Sequence, residues 1–124
     1  MPRRRAGSEI VTIYWRDIPA QVNGQTGRDR HQVVLSSKFQ RAIDRAKRKA
    51  HIDTAAEDIA QWRRTTVSCG GDVGVVAAAA EAEASRLEEQ FSREYLGRLA
   101  YAGGRVAALG DRDVPDRERA DIHD

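Results

Sequence analysis

The sequence predicts an α+β fold: a small antiparallel sheet of two to four strands packed against two short helices and one long helix. Three observations carry that class. Residues 9–16 form an alternating β-branched and aromatic run, residues 37–50 place apolar side chains at helical spacing, and residues 73–102 hold one apolar stripe without a proline.

From Glu9 to Arg16, Ile10, Thr12 and Tyr14 fall on one face and Val11, Ile13 and Trp15 on the other. Both faces are largely apolar, which predicts a central strand. Pro19 has no N–H for a ladder and holds Ile18 extended, so only a short edge strand is expected over Ala20 to Val22. Asn23-Gly24 and Gly27 predict a turn and His31 to Leu35 another strand, giving a hairpin or three-stranded meander over residues 9–35. Ser37 with Gln40 reads as a capping box opening a helix whose buried stripe is Phe39, Ala42, Ile43, Ala46 and Ala50. Its opposite face is basic: Arg41, Arg45, Arg48 and Lys49.

Thr54 with Glu57 predicts a second capping box and a short helix with Ile59 and Trp62 facing inward. Thr65 to Cys69 reads as a further strand, Gly70-Gly71 as a break and Asp72 as an N-cap. The stripe Ala80, Ala84, Leu87, Phe91, Tyr95 and Leu99 then predicts one helix from Val73 to Ala102, supported by Glu89–Arg93 and Glu94–Arg98 pairs, with Gly97 as a possible bend. Such a helix is about 42 Å long at about 1.5 Å per residue. That exceeds what a domain this small needs, so part of it is expected to project or to meet a partner, a second copy included. Gly103-Gly104 ends it. The domain plan is a basic arm over 1–8, one folded unit over 9–102 and a disordered charged tail over 103–124.

The chain has 124 residues and a formal net charge of +2, which hides a strong asymmetry. Residues 1–71 carry 14 Lys and Arg against 7 Asp and Glu, while residues 72–124 carry 7 against 12. Self-complementary charge, within or between copies, is therefore expected. A single cysteine, Cys69, excludes an internal disulfide and any multi-cysteine metal site. The apolar run behind Arg3, Arg4 and Arg5 is too short for a signal peptide, and no run reaches a membrane span, so a cytoplasmic protein with no membrane partner is expected. The excess of Arg over Lys, with many Ala, points to a high-GC bacterial genome.

No nucleophile elbow, Walker loop or His-Glu-x-x-His motif occurs, and His31, His51 and His123 have no metal-ligand spacing. No catalytic residue, metal or cofactor is therefore expected. Two features remain. Tyr14, Trp15, Arg16, Asp17, Pro19 and Gln21, together with Arg28, form the candidate interaction set: the first six gather Trp, Arg, Asp and Pro where a strand ends, and Trp and Arg are common at interface hot spots. The basic first half, with Arg28 and the Arg41, Arg45, Arg48 and Lys49 face, could neutralise phosphates.

The run Ile13-Tyr14-Trp15-Arg16-Asp17-Ile18-Pro19-Ala20-Gln21-Val22, then Arg28, Leu35 and Phe39-Gln40-Arg41-Ala42-Ile43-Asp44, resembles the small bacterial "virulence factor" domain family, also found at one end of larger conserved virulence factor proteins. The likeness covers residues 9–64 and, more loosely, the long helix. It implies no known reaction, cofactor or catalytic residue. It does imply an accessory role, with stand-alone members similar to accessory proteins of one-carbon or corrinoid methyl-transfer systems. The Asp-x-His-x-x-Gly cobalamin ligand motif is absent from this sequence. The expected role is a non-enzymatic interaction module for a larger protein partner, and the alternative is an RNA- or DNA-binding regulator.

Overall fold

In a computed structural model that describes residues 7–109, β1 (Ser8–Trp15), β2 (Ile18–Thr26), β3 (Asp29–Val34) and β4 (Trp62–Cys69) form one antiparallel sheet ordered β3-β2-β1-β4. The predicted meander is β1-β2-β3, and β1 is central as its two apolar faces require. Four helices complete the chain: α1 (Ser37–Lys49), α2 (Ala55–Gln61), α3 (Val73–Gln90) and α4 (Arg93–Tyr101). The α+β class holds. Most of the basic arm, residues 1–6, and residues 110–124 of the tail lie outside the described residues.

Register decides which side of the sheet the helices cover. Ile10 stands opposite Gly24 and Gly24 opposite His31, while Thr12, Val22 and Val33 form the next row. Directly opposed residues share a face. A Cβ on Gly24 would stand 2.9 Å from both Val76 Cγ1 and the Val76 carbonyl oxygen, so this row faces α3. His31 Nε2 meets Glu81 Oε2 of α3 at 2.8 Å along the same row. α3 spreads over β2 and β3, and α1 packs on α4 and β2. One core joins Val22, Leu35, Phe39, Ile43, Ala80, Leu87, Phe91 and Leu99; it buries the stripe predicted for the long helix and that of α1 except Ala50, which is the half-buried C-cap.

Several local expectations are overturned, each for a physical reason. Asn23-Gly24 is not a turn but the middle of β2; the glycine is there for the close approach of α3, and the hairpin turns at Gly27-Arg28 instead. Pro19 does not confine β2 to an edge. A register shift opposite Ile13 and Tyr14 absorbs it, and pairing with β3 starts only at Gln21. The cap of α1 is Ser36 rather than Ser37, so N3 is Phe39, which cannot close a capping box, and the Ser36 N–H and hydroxyl donate instead to the Glu88 carboxylate, at 2.6 and 2.8 Å. Thr54 and Glu57 do form theirs. Ile59, expected inside, is 69% exposed; α2 contributes no buried residue, and Trp62 opens β4 half-buried.

The long helix is two helices. α3 ends at Phe91, which leaves helical geometry, and Ser92 accepts a bond from the Tyr95 N–H at 3.0 Å to cap α4. Phe91 is buried at the corner, its ring 5.9 Å from Phe39 and 5.5 Å from Tyr95. Aromatic burial bends the chain back onto α1, so nothing projects as a 42 Å rod, and Gly97 lies within α4 without ending it. Gly103 and Gly104, at φ +76° and +88°, return their N–H groups to Ala100 and Leu99. The chain then stays ordered through a 3-10 turn, Val106–Ala108, so residues 103–109 belong to the folded unit.

Gly24 gives a direct test of the sheet–helix register. Gly24→Val is expected to destabilise the protein by about 1–3 kcal/mol, the usual cost of overpacking, read as a lowered urea midpoint with unchanged slope.

Candidate functional site

The two-residue turn between β1 and β2 is Arg16-Asp17, and most of its polar atoms are bound within the fold. Arg16 takes φ +53°, an uncommon value for a side-chain-bearing residue. Its N–H donates to the Gln61 carbonyl at 2.9 Å, and its carbonyl accepts from Arg63 Nε at 2.8 Å. The guanidinium lies 5.1 Å from the Trp15 ring centroid and donates to Gln61 Oε1 and the Gly103 carbonyl, both at 2.9 Å. Asp17 accepts from Arg63 Nη2 at 3.0 Å and from the Val106 N–H at 2.7 Å, and its own N–H donates to the Gly104 carbonyl.

Trp15 is 0% exposed, so the expectation that its indole is presented to a partner is corrected: it is a core residue. Its N–H donates to Asp58 Oδ1 at 2.9 Å, where Lys47 Nζ also arrives at 3.0 Å and Trp62 Nε1 donates to the second oxygen at 3.5 Å. Partial burial pushes the Asp58 carboxyl up. The hydrogen bonds from Lys47 and Trp15, then the Lys47 charge and the Trp62 N–H, outweigh it and hold Asp58 below the usual carboxylate range. Tyr14 is half-buried under Arg63, 4.3 Å from its ring centroid, and Pro19 is buried. Gln21 bonds Asn23 and Gln32 in a polar row on the sheet face away from α3. Arg28 sits in the β2–β3 turn, roughly 25 Å along β2 from Arg16. The segment is thus a structural junction, and Arg28 is not part of it.

The basic face is brought to a groove. Lys38, Arg41 and Arg45 of α1 and Arg93 of α4 border a cleft of about 190 Å³ whose floor is Ala42, Leu96 and Gly97. No carboxylate of the described residues lines it. Lys38 is held by Glu88, donating to its carbonyl at 2.9 Å and lying 3.7 Å from its carboxylate. Arg41, Arg45 and Arg93 have no hydrogen-bond or ion-pair partner among the described residues, whereas Lys47, Arg63 and Arg86 each meet a carboxylate within the fold. Past this cleft, Lys49 stands 4.0 Å over the exposed Tyr101 ring, and Arg48 is exposed. Sequence reasoning missed Arg93 because it placed the residue in mid-helix, paired with Glu89. A serine directly after a buried aromatic, at Ser92, was the available sign of a new helix start.

A family model described as virulence factor matches residues 13–100, from β1 through nearly all of α4. The chain belongs to the virulence factor family. No curated protein and no solved structure matches it. The virulence factor match reaches beyond the residues 9–64 that carried the resemblance, and it contains both walls of the groove. Among the described residues, no cluster of three or more His, Cys, Asp and Glu is placed to hold a metal, and no helix is long and apolar enough to cross a membrane.

Two stability predictions follow from these contacts. Asp58 is held below its unfolded pKa, so its contribution is full at neutral pH and is lost as pH falls from about 4 through the folded value. Asp58→Ala should lose about 1–3 kcal/mol at pH 7, and Asp58→Asn should flatten the acid limb of the stability curve, both read by urea denaturation at pH 7 and pH 3. At Gly97 a Cβ would meet nothing within 4 Å, so Gly97→Ala should stabilise the protein by about 0.5–1 kcal/mol in the same assay.

Proposed function

We propose that this protein is a non-enzymatic interaction module whose α1–α4 groove takes an acidic segment of a larger protein partner. One observation carries this reading: three arginines without partners among the described residues line one cleft with an apolar floor, where no carboxylate of the described residues offsets them. Charge at such a groove steers and orients an anionic partner, and the floor rewards apolar residues placed between its carboxylates. A cleft of about 190 Å³ fits a few extended residues better than a duplex backbone. The Trp15, Phe39, Phe91 and Tyr95 rings are buried core, which leaves Tyr101, under Lys49, as the exposed ring beside this face and gives single-stranded nucleic acid little to stack on. The accessory role implied by the family resemblance agrees, and a larger methyl-transfer protein is one source of such a segment.

The test uses fluorescent decaglutamate as the probe and anisotropy at low salt as the readout. The native chain should bind it, and Arg41→Glu/Arg45→Glu should weaken binding about tenfold or more, while Arg28→Glu leaves it unchanged. Equal binding by native and Arg41→Glu/Arg45→Glu chains would overturn the reading. So would a mixed-sequence oligonucleotide that binds more tightly than decaglutamate with a steep salt dependence; that result assigns the basic face to nucleic acid.

A further inference from the structure

We propose that residues 110–124 of this chain themselves occupy the α1–α4 groove and compete there with the acidic partner segment. The proposal rests on the groove being a site for acidic segments, and four observations lead from there to the chain's own tail.

The first is where the described chain ends. Leu109 and Ala108 line a second, larger cleft of about 700 Å³ on α4, together with Arg93, Gly97, Arg98 and Tyr101 and with one carboxylate, Glu94. The described chain therefore ends beside a cleft that shares Arg93 and Gly97 with the cationic groove. The second is Gly97, which lines both clefts. Its backbone is not in the left-handed region, and an added Cβ would touch nothing within 4 Å, so neither conformation nor packing demands glycine there. Its missing side chain leaves no Cβ standing between the two clefts on α4.

The third is charge. Residues 110–124 hold six Asp and Glu against three Arg, and the groove holds Arg41, Arg45 and Arg93 without partners among the described residues. The pattern agrees as well as the sign: Asp113-Val114-Pro115-Asp116 sets two apolar residues between two carboxylates, and the groove sets an apolar floor between cations. The fourth is reach. Fifteen residues span up to about 50 Å when extended, while the nine residues of α4 are about 13 Å long. A tethered segment acts at an effective concentration in the millimolar range, so even a weak tail contact raises the concentration of partner needed to displace it.

The full-length chain is compared with its Asp111→Asn/Asp113→Asn/Asp116→Asn variant, using the decaglutamate probe. The variant should bind the probe about three- to tenfold more tightly than the native chain. Carbodiimide treatment of the dilute native protein should join a tail carboxylate to Lys38 or Lys49 of the same chain, and Arg41→Glu/Arg45→Glu should reduce that cross-link. Equal probe affinity in the two chains overturns the proposal and leaves the groove reading standing. Cross-links that join two chains also overturn it, assigning the groove to a neighbour's tail. If the neutralised variant binds no decaglutamate at all, the groove reading falls, and this proposal falls with it.

Discussion

The Arg16-Asp17 turn is the constraint on which the rest of the structure depends. In two residues it reverses the chain between the central strands, receives the α2–β4 junction through Gln61 and Arg63, and receives the end of α4 through Gly103, Gly104 and Val106. Segments more than 80 residues apart in sequence meet there. The left-handed backbone at Arg16 is an unfavourable local choice, offset by four hydrogen bonds and by stacking on Trp15. Gly104 shares the arrangement: a Cβ on it would stand 2.9 Å from the Trp15 ring, so the indole can be closed over only by a glycine.

Once that end is fixed, the groove follows from geometry. Trp15 and Ala46 anchor α1, the Phe39–Phe91–Tyr95 cluster turns the chain after α3, and α4 must lie along α1. The two helices bury their apolar stripes against the sheet and against each other. Their outer flanks are then left side by side, and both are basic at the open end. The carboxylates are used elsewhere: Asp17 on Arg63, Asp58 on Lys47 and Trp15, Glu88 on Ser36 and Lys38. The asymmetry seen along the sequence is thus partly cancelled inside the fold, and three of the arginines left without a partner among the described residues line one cleft.

Much of the fold was legible because periodicity reports burial. The stripes of α1 and of the long helix name the core, Thr54 with Glu57 names its cap, and Gly103-Gly104 names its stop. The errors came where a distant contact outweighed a local preference. Glu88 takes the serine that local chemistry would use as a cap, α3 turns a glycine from turn residue into contact surface, and a bulge makes room for Pro19. The basic face of α1 was legible as a row of arginines, but its opposite wall was not, because Arg93 joins it only after the break at Phe91. The Trp-Arg-Asp motif was legible as special, yet its composition does not separate a core junction from an exposed surface: the same residue types serve both.

The position of β1 between β2 and β4 also shapes how the protein is made. β2 follows β1 directly, but β4 begins at Trp62, after two helices, so during synthesis one side of β1 stays unpaired until some 45 further residues have emerged. That side belongs to Ile10-Val11-Thr12-Ile13-Tyr14-Trp15, an uncharged run of strong β-formers. In the finished protein it is covered by a ladder running from Ser8–Cys69 to Trp15–Trp62. In the nascent chain the same run is a sticky template, and β4 completes the fold and also removes the segment most prone to aggregate.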